Sequence, residues 1–178
     1  MMPVNVLDAR SEDANAIGRV HVRAWRAAYR GLVADAYLDA LDERARAERW
    51  RELLETRMDR TKKFLIARRS ADVVGFAFVG PDRDDLGVGE VYALYVDPDA
   101  WGTGVAQPLL AHATAALAAL EHAEGVLWVL RGNARARRFY EKAGWLADGA
   151  EKLAEESANG VRVTFDEVRY RGIVTRPR

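Results

Sequence analysis

A chain of 178 residues is long enough for one core that buries most of its apolar surface and short for two; with 49% hydrophobic and 30% charged residues it has the profile of an ordinary globular protein, so one domain over 1–178 is expected. The 27 Lys and Arg equal the 27 Asp and Glu, so no long-range field draws the chain to nucleic acid or an anionic membrane, and neither partner is expected. The lack of cysteine excludes disulfides, thiolate metal ligands and a cysteine nucleophile, and the three histidines, His21, His112 and His122, show no ligand spacing, so no metal is expected either.

The opening MMPVNVLDARSEDANA has neither a basic leader nor an apolar stretch of signal length, and no later apolar run approaches ~18 residues; a cytoplasmic location is the default expectation. Val4, Val6 and Leu7 begin a short strand. Ser11 followed by Glu12 and Asp13 reads as a helix start, a capping hydroxyl and then acids near the positive end of the dipole. Ile17, Val20, His21, Ala24 and Ala28 recur at helical spacing until Gly31. A second helical region covers about Asp35 to Met58, broken near Asp42, with Leu38, Leu41, Ala45, Trp50, Leu53 and Leu54 on its buried side.

From Lys63 the period changes to that of strands: KFLIAR, a turn at Ser70 to Asp72, then VVGFAFVG as an antiparallel hairpin. Asp82 to Gly89 is a loop whose Asp82-Arg83-Asp84-Asp85 run reads as solvated charge, with attraction of a cationic ligand as the alternative. Gly89 to Pro98 is nearly all apolar, as expected of a central strand covered on both faces. A glycine turn and a helix to about Leu120 follow, packing through Leu109, Leu110, Ala113, Leu117 and Leu120; Gly125 to Leu130 is a buried strand. Asn133 to Ala143 forms a helix stopped by Gly144, and two last strands, around Trp145 to Ala150 and Val161 to Arg171, flank a polar loop with Asn159-Gly160. The order gives an α/β or α+β protein with a single mixed sheet of about seven strands and about four helices.

Val91 to Leu110 carries the chemistry: a buried strand, a sharp Asp97-Pro98-Asp99 turn, then Gly102-Thr103-Gly104-Val105-Ala106 opening a helix. Glycines let backbone approach a ligand, and the first free N–H groups of a helix attract an anion, most naturally a phosphate. The dinucleotide fingerprint would need glycine near Gln107, and the phosphate-loop signature would need Gly-Lys-Ser/Thr; neither is present. Pro108 is tolerable in the first helical turn, where its missing N–H has no partner to lose.

Here the sequence resembles the GCN5-related N-acetyltransferase superfamily. That family's cofactor motif, Gln/Arg-x-x-Gly-x-Gly/Ala, aligns with Trp101-Gly102-Thr103-Gly104-Val105-Ala106, tryptophan standing where Gln or Arg is usual; the motif's backbone donors remain. A second segment, Asn133-Ala134-Arg135-Ala136-Arg137-Arg138-Phe139-Tyr140-Glu141-Lys142-Ala143-Gly144-Trp145, looks like the family's N-x-x-A-x-x-F-Y-x-x-x-G-F, with Trp for the last Phe. The resemblance implies an acetyl-coenzyme A-dependent N-acetyltransferase whose central strands splay apart. The pantetheine arm would run along the backbone of Leu94, Tyr95 and Val96, with Asn133 binding the arm or capping its helix. The acyl carbonyl would be polarised by an N–H near Leu94 or Tyr95, and Tyr140 would be the general acid that protonates the departing thiolate.

An acceptor amine resembling lysine must lose a proton, at a cost of roughly 4 to 5 kcal/mol near neutrality. Glu90, alternating onto the same face as Tyr92 and Leu94, is the first candidate base, with His21 or a water chain as alternatives. Trp25 and Tyr29, one helical turn apart, fall where the family builds the acceptor wall. The resemblance implies a small-molecule or peptide amine as acceptor and is compatible with a homodimer. Rival readings are a coenzyme A-binding regulatory module without turnover and a transferase of a larger acyl group.

Overall fold

The structure is a computed structural model that describes residues 3–85 and 87–174; Met1, Met2, Leu86 and 175–178, the ends of the expected 1–178 domain among them, lie outside the described residues. Seven strands, β1 (Val4–Asp8), β2 (Lys63–Arg69), β3 (Asp72–Pro81), β4 (Gly89–Val96), β5 (Glu124–Leu130), β6 (Leu146–Ala158) and β7 (Val161–Ile173), form one sheet in the order β1-β2-β3-β4-β5-β7-β6. Every neighbouring pair is antiparallel except β4 and β5, which run parallel. Helices α1 (Ala14–Tyr29), α2 (Asp35–Ala40) and α3 (Glu43–Glu52) cover one face, and α4 (Ala106–Ala119) and α5 (Ala134–Lys142) the other.

The strand periodicity of two builds both cores at once. Phe64, Ile66, Phe76 and Phe78 point toward Ile17 and Val20 of α1, while Leu65, Ala67, Ala77 and Val79 point toward Leu109, Ala113 and Leu117 of α4. Burying one such aliphatic or aromatic side chain contributes about 1.5 to 3 kcal/mol. None of the described helices is long and apolar enough to cross a membrane.

Three details differ from the sequence expectation. The start of α1 is preceded by a short turn at Ser11–Asp13 that Asp13, not Ser11, satisfies: its carboxylate accepts the Arg10 N–H at 2.9 Å and pairs with Arg68. The second helical region breaks at Asp42, as expected, into α2 and α3, and Asp42 caps α3 by accepting the Ala45 N–H at 2.7 Å. That cap rotates α3 so that Arg46 and Ala47 turn inward and Ala45 is exposed; the buried guanidinium of Arg46 donates to the Tyr37 hydroxyl at 3.0 Å. The polar run after Ala150 is strand rather than loop. β6 is an edge strand held by main-chain pairing to β7 and by cross-strand ion pairs such as Lys152–Glu167 at 3.4 Å, so it needs no apolar face. Asn159 and Gly160, both at positive φ, are the two-residue turn of that hairpin.

Tryptophan at the end of the second motif is matched across the sheet. Trp145 is 3% exposed, and a Cβ on Gly172 of β7 would lie 2.6 Å from its ring, so the glycine makes room for the larger aromatic.

Candidate active site

The sheet opens where β4 and β5 part. They pair at Gly89–Gly125, Glu90–Val126 and Val91–Leu127 and then diverge, although β4 continues to Val96 and β5 to Leu130. The cause lies one residue further along β4: Phe78 faces Ala93 while Val79 faces Val91, so Tyr92 is an extra residue, a β-bulge that bends the strand. From Tyr92 onward the edge of β4 facing β5 has no strand partner, and a cleft of about 490 Å³ occupies the gap.

The bulge also shifts the side-chain phase. Val91, Leu94 and Val96 pack toward α4, whereas Tyr92, Ala93 and Tyr95 pack toward α1. Leu94, Tyr95 and Val96 all line the cleft, but Glu90 and Tyr92 do not share a face with Leu94 as uninterrupted alternation would have it.

One end of the cleft is the turn from β4 into α4, with Trp101, Gly102, Gly104, Val105 and Ala106 in its wall. Two clamps hold this turn. Arg23 of α1 donates to Asp97 at 2.9 Å and to Asp99 at 2.7 Å, and Asp97 accepts the Asp99 N–H at 3.0 Å. Arg69 of β2 donates to the Thr103 hydroxyl at 2.8 Å and its carbonyl at 3.2 Å. Gly102 and Gly104 have φ of 72° and 83°, which a side chain would strain. The Thr103 N–H is used on the Ala100 carbonyl at 3.4 Å, but among the described residues no backbone acceptor takes the N–H of Gly102, Gly104, Val105 or Ala106. Four unspent amides at the head of a helix fit an anion such as a diphosphate.

The other wall is α5. Asn133 caps it, accepting the Ala136 N–H at 3.1 Å, and also lines the cleft. Tyr140 lines the cleft at 8% exposure; burial, with the neighbouring Tyr95 phenol, pushes its hydroxyl well above the ordinary phenol range, so it stays protonated. A protonated phenol in an apolar wall can give a proton to a thiolate formed beside it.

On the α1 side, Tyr29 lines the cleft and meets Trp25 edge-on at 4.7 Å, but Trp25 itself is 5% exposed and stands behind it, among Tyr37, Tyr95 and Phe165. Burial pushes the Tyr95 hydroxyl up to about 12 and that of Tyr29 well above the usual value. His21 is buried, accepts the Trp50 indole N–H on Nδ1 at 3.0 Å and stacks on Tyr95 at 5.0 Å. That bond leaves the proton on Nε2, and burial, reinforced by Arg46 and Arg49, drives the imidazole pKa well below 6.5; His21 is a neutral packing group. Glu90 sits where β4 and β5 still pair, 4% exposed and outside the cleft wall. Burial raises its carboxyl above the usual range, against the pull of Arg83, whose Nε lies 3.8 Å away.

Three residues of the site are silent in the sequence: Arg23 and Arg69, which clamp the turn from elements far away in the chain, and Arg135, which lines the cleft with its guanidinium 3.1 Å from the centre of the Trp101 ring. No spacing links them, because their partners are set by the sheet order. Among the described residues no group of three or more His, Cys, Asp or Glu is arranged to hold a metal.

Comparison with known proteins agrees with this geometry. The model of the Acetyltransferase (GNAT) family matches residues 20–145. The uncharacterised N-acetyltransferase YuaI of Bacillus subtilis is 28% identical over 169 residues, 93% of this chain and 90% of that protein. The uncharacterised N-acetyltransferase Rv2669 of Mycobacterium tuberculosis is 34% identical over 141 residues, 77% of this chain and 85% of that protein. Among solved structures, the PaiA N-acetyltransferase of Thermoplasma acidophilum in complex with coenzyme A superposes with a TM-score of 0.72 at 19% identity, covering 93% of this chain and 98% of that one.

Proposed function

The chain belongs to the acetyltransferase (GNAT) family, and from that premise we propose that it moves the acetyl group of acetyl-coenzyme A to the primary amine of a small molecule or peptide. The observation that carries this reading is the cleft between the parted strands, bounded by four unspent amides on one side and the buried Tyr140 phenol on the other.

Bound acetyl-coenzyme A supplies an activated acyl carbon, at which a C–N bond forms as the C–S bond breaks. The amides of Gly102, Gly104, Val105 and Ala106 hold the diphosphate, and the free edge of β4 from Leu94 to Val96 lines the pantetheine arm, with Asn133 opposite. A main-chain N–H near Leu94 or Tyr95 polarises the acyl carbonyl. Tyr140 donates its proton to the departing thiolate and is restored from solvent. The amine's proton leaves through water to Glu90, whose raised pKa brings it closer to the working pH of a general base. Tyr29 forms the acceptor wall, with Trp25 buttressing it from behind.

The test is a panel of polyamines, amino acids, peptide N-termini and aminoglycosides, scored for acceptor-dependent thiol release from acetyl-coenzyme A and from longer acyl thioesters. Release with one acceptor class and the acetyl donor is expected. Tight coenzyme A binding with no release for any amine would replace the transferase reading with that of a cofactor-binding regulator.

A further inference from the structure

Arg135 opens α5, and its guanidinium lies over the Trp101 ring, 3.1 Å from the ring centre. The ring is itself fixed, because its Nε1 donates to the Val96 carbonyl at 2.8 Å. Two neighbouring arginines are committed internally: Arg131 pairs with Glu151 at 2.6 Å, and Arg137 donates to the Tyr170 hydroxyl at 3.0 Å and the Arg131 carbonyl at 3.2 Å, while Arg138 does not line the cleft. Among the described residues Arg135 is held by an aromatic face alone. Stacking uses the flat faces of a guanidinium and leaves its in-plane N–H donors free along the edge. Arg135 lines the same cleft as Trp101, Gly102 and Gly104.

We propose that Arg135, seated on Trp101, is the cation that meets the diphosphate of the acyl donor. It supplies a side-chain cation at a turn where position 101 carries Trp and has no charge of its own. Trp101 acts as a positioning residue: it seats an arginine of α5 beside the amides at the head of α4. The inference rests on the acetyl-coenzyme A reading above and adds a specificity-determining residue to it.

The experiment is calorimetric titration of the full chain with coenzyme A and with dephospho-coenzyme A, which keeps the diphosphate and lacks the 3′-phosphate. Arg135→Met preserves the apolar stem on the ring and removes the charge. It is expected to weaken both ligands about tenfold, as for the loss of one charge-assisted bond in a solvated site. It should also flatten the fall of affinity with salt, a response that a purely structural role would leave unchanged. Arg135→Lys, which keeps the charge and loses the planar stack, should fall between the two. Trp101→Leu should weaken binding as well, and adding Arg135→Met to it should cost far less than tenfold further, because the two side chains act as one unit. A loss confined to coenzyme A would move the contact to the 3′-phosphate and overturn the proposal, as would unchanged affinity in Arg135→Met. Failure of the unaltered chain to bind coenzyme A would instead overturn the donor reading on which this one stands.

Discussion

The two sides of β4 do different kinds of work. Toward α4, the cleft is built from glycines, small apolar side chains and main-chain N–H groups, and its chemistry is that of the backbone. Toward α1, Tyr29 and Tyr95 line it, with His21 and Glu90 buried outside its wall, and the behaviour of all four is set by desolvation. The contrast teaches that donors for an anion come mainly from a local turn, with side chains such as Arg135 added from elsewhere, whereas the opposite wall is made entirely of side chains brought together from distant elements.

The sharpest break of that comparison is Tyr140→Phe, on the shared wall. Removing the proposed proton donor is expected to lower kcat by about a hundredfold or more while the KM for acetyl-coenzyme A changes less than about twofold, read from steady-state kinetics. Equal turnover would make Tyr140 a packing residue only. On the backbone side, Gly104→Val forces a branched side chain into φ of 83° and should raise the dissociation constant of coenzyme A by about tenfold or more, with the circular dichroism spectrum unchanged.

On the side-chain side, Glu90→Gln tests the base. With Glu90 present, kcat/KM should rise with pH through a pKa above the ordinary carboxylate range, since the carboxylate form is the active one; the variant should lose that limb and about tenfold in rate. An unaltered profile would leave Glu90 as a buried ion-pair partner of Arg83. The smallest effect concerns stability. His21 is neutral in the folded chain and its pKa is lowered, so the unfolded chain binds more protons below about pH 6.5. The stability that His21 contributes is therefore present above that pH and lost as pH falls, by about 1.4 kcal/mol per unit until the folded-state pKa is reached. Denaturant titrations between pH 7 and 5 should show this slope, and His21→Phe should remove it; an equal slope in the variant would assign it to other groups.

Much of the backbone side was legible in advance. Gly102 and Gly104 after an apolar strand announce a turn at positive φ, and Asn133 ten residues before Ala143 announces a capped helix; both are local facts of conformation and hydrogen bonding. The bulge at Tyr92 was not legible. An apolar run such as Val91 to Val96 carries no alternation, so nothing in it marks the extra residue that sends Glu90 and Leu94 to opposite faces. β6 is not legible beyond Ala150 for the converse reason, because its half-buried face carries Lys152, Ala154, Glu156 and Ala158, a polar and small set with no apolar period to read.

The sequence by itself determined the element order, the glycine cradle, the second motif around Tyr140 and hence the family, because each depends on residues close together in the chain. Only the tertiary structure decided which side chains meet at the cleft. Arg23 and Arg69 reach the turn from α1 and β2, Arg135 lands on Trp101, Trp25 falls behind Tyr29, and Glu90 stays below the point where the strands part. Those outcomes follow from strand order, one bulge and the burial of whole faces, which are sums over many weak contacts with no local signature.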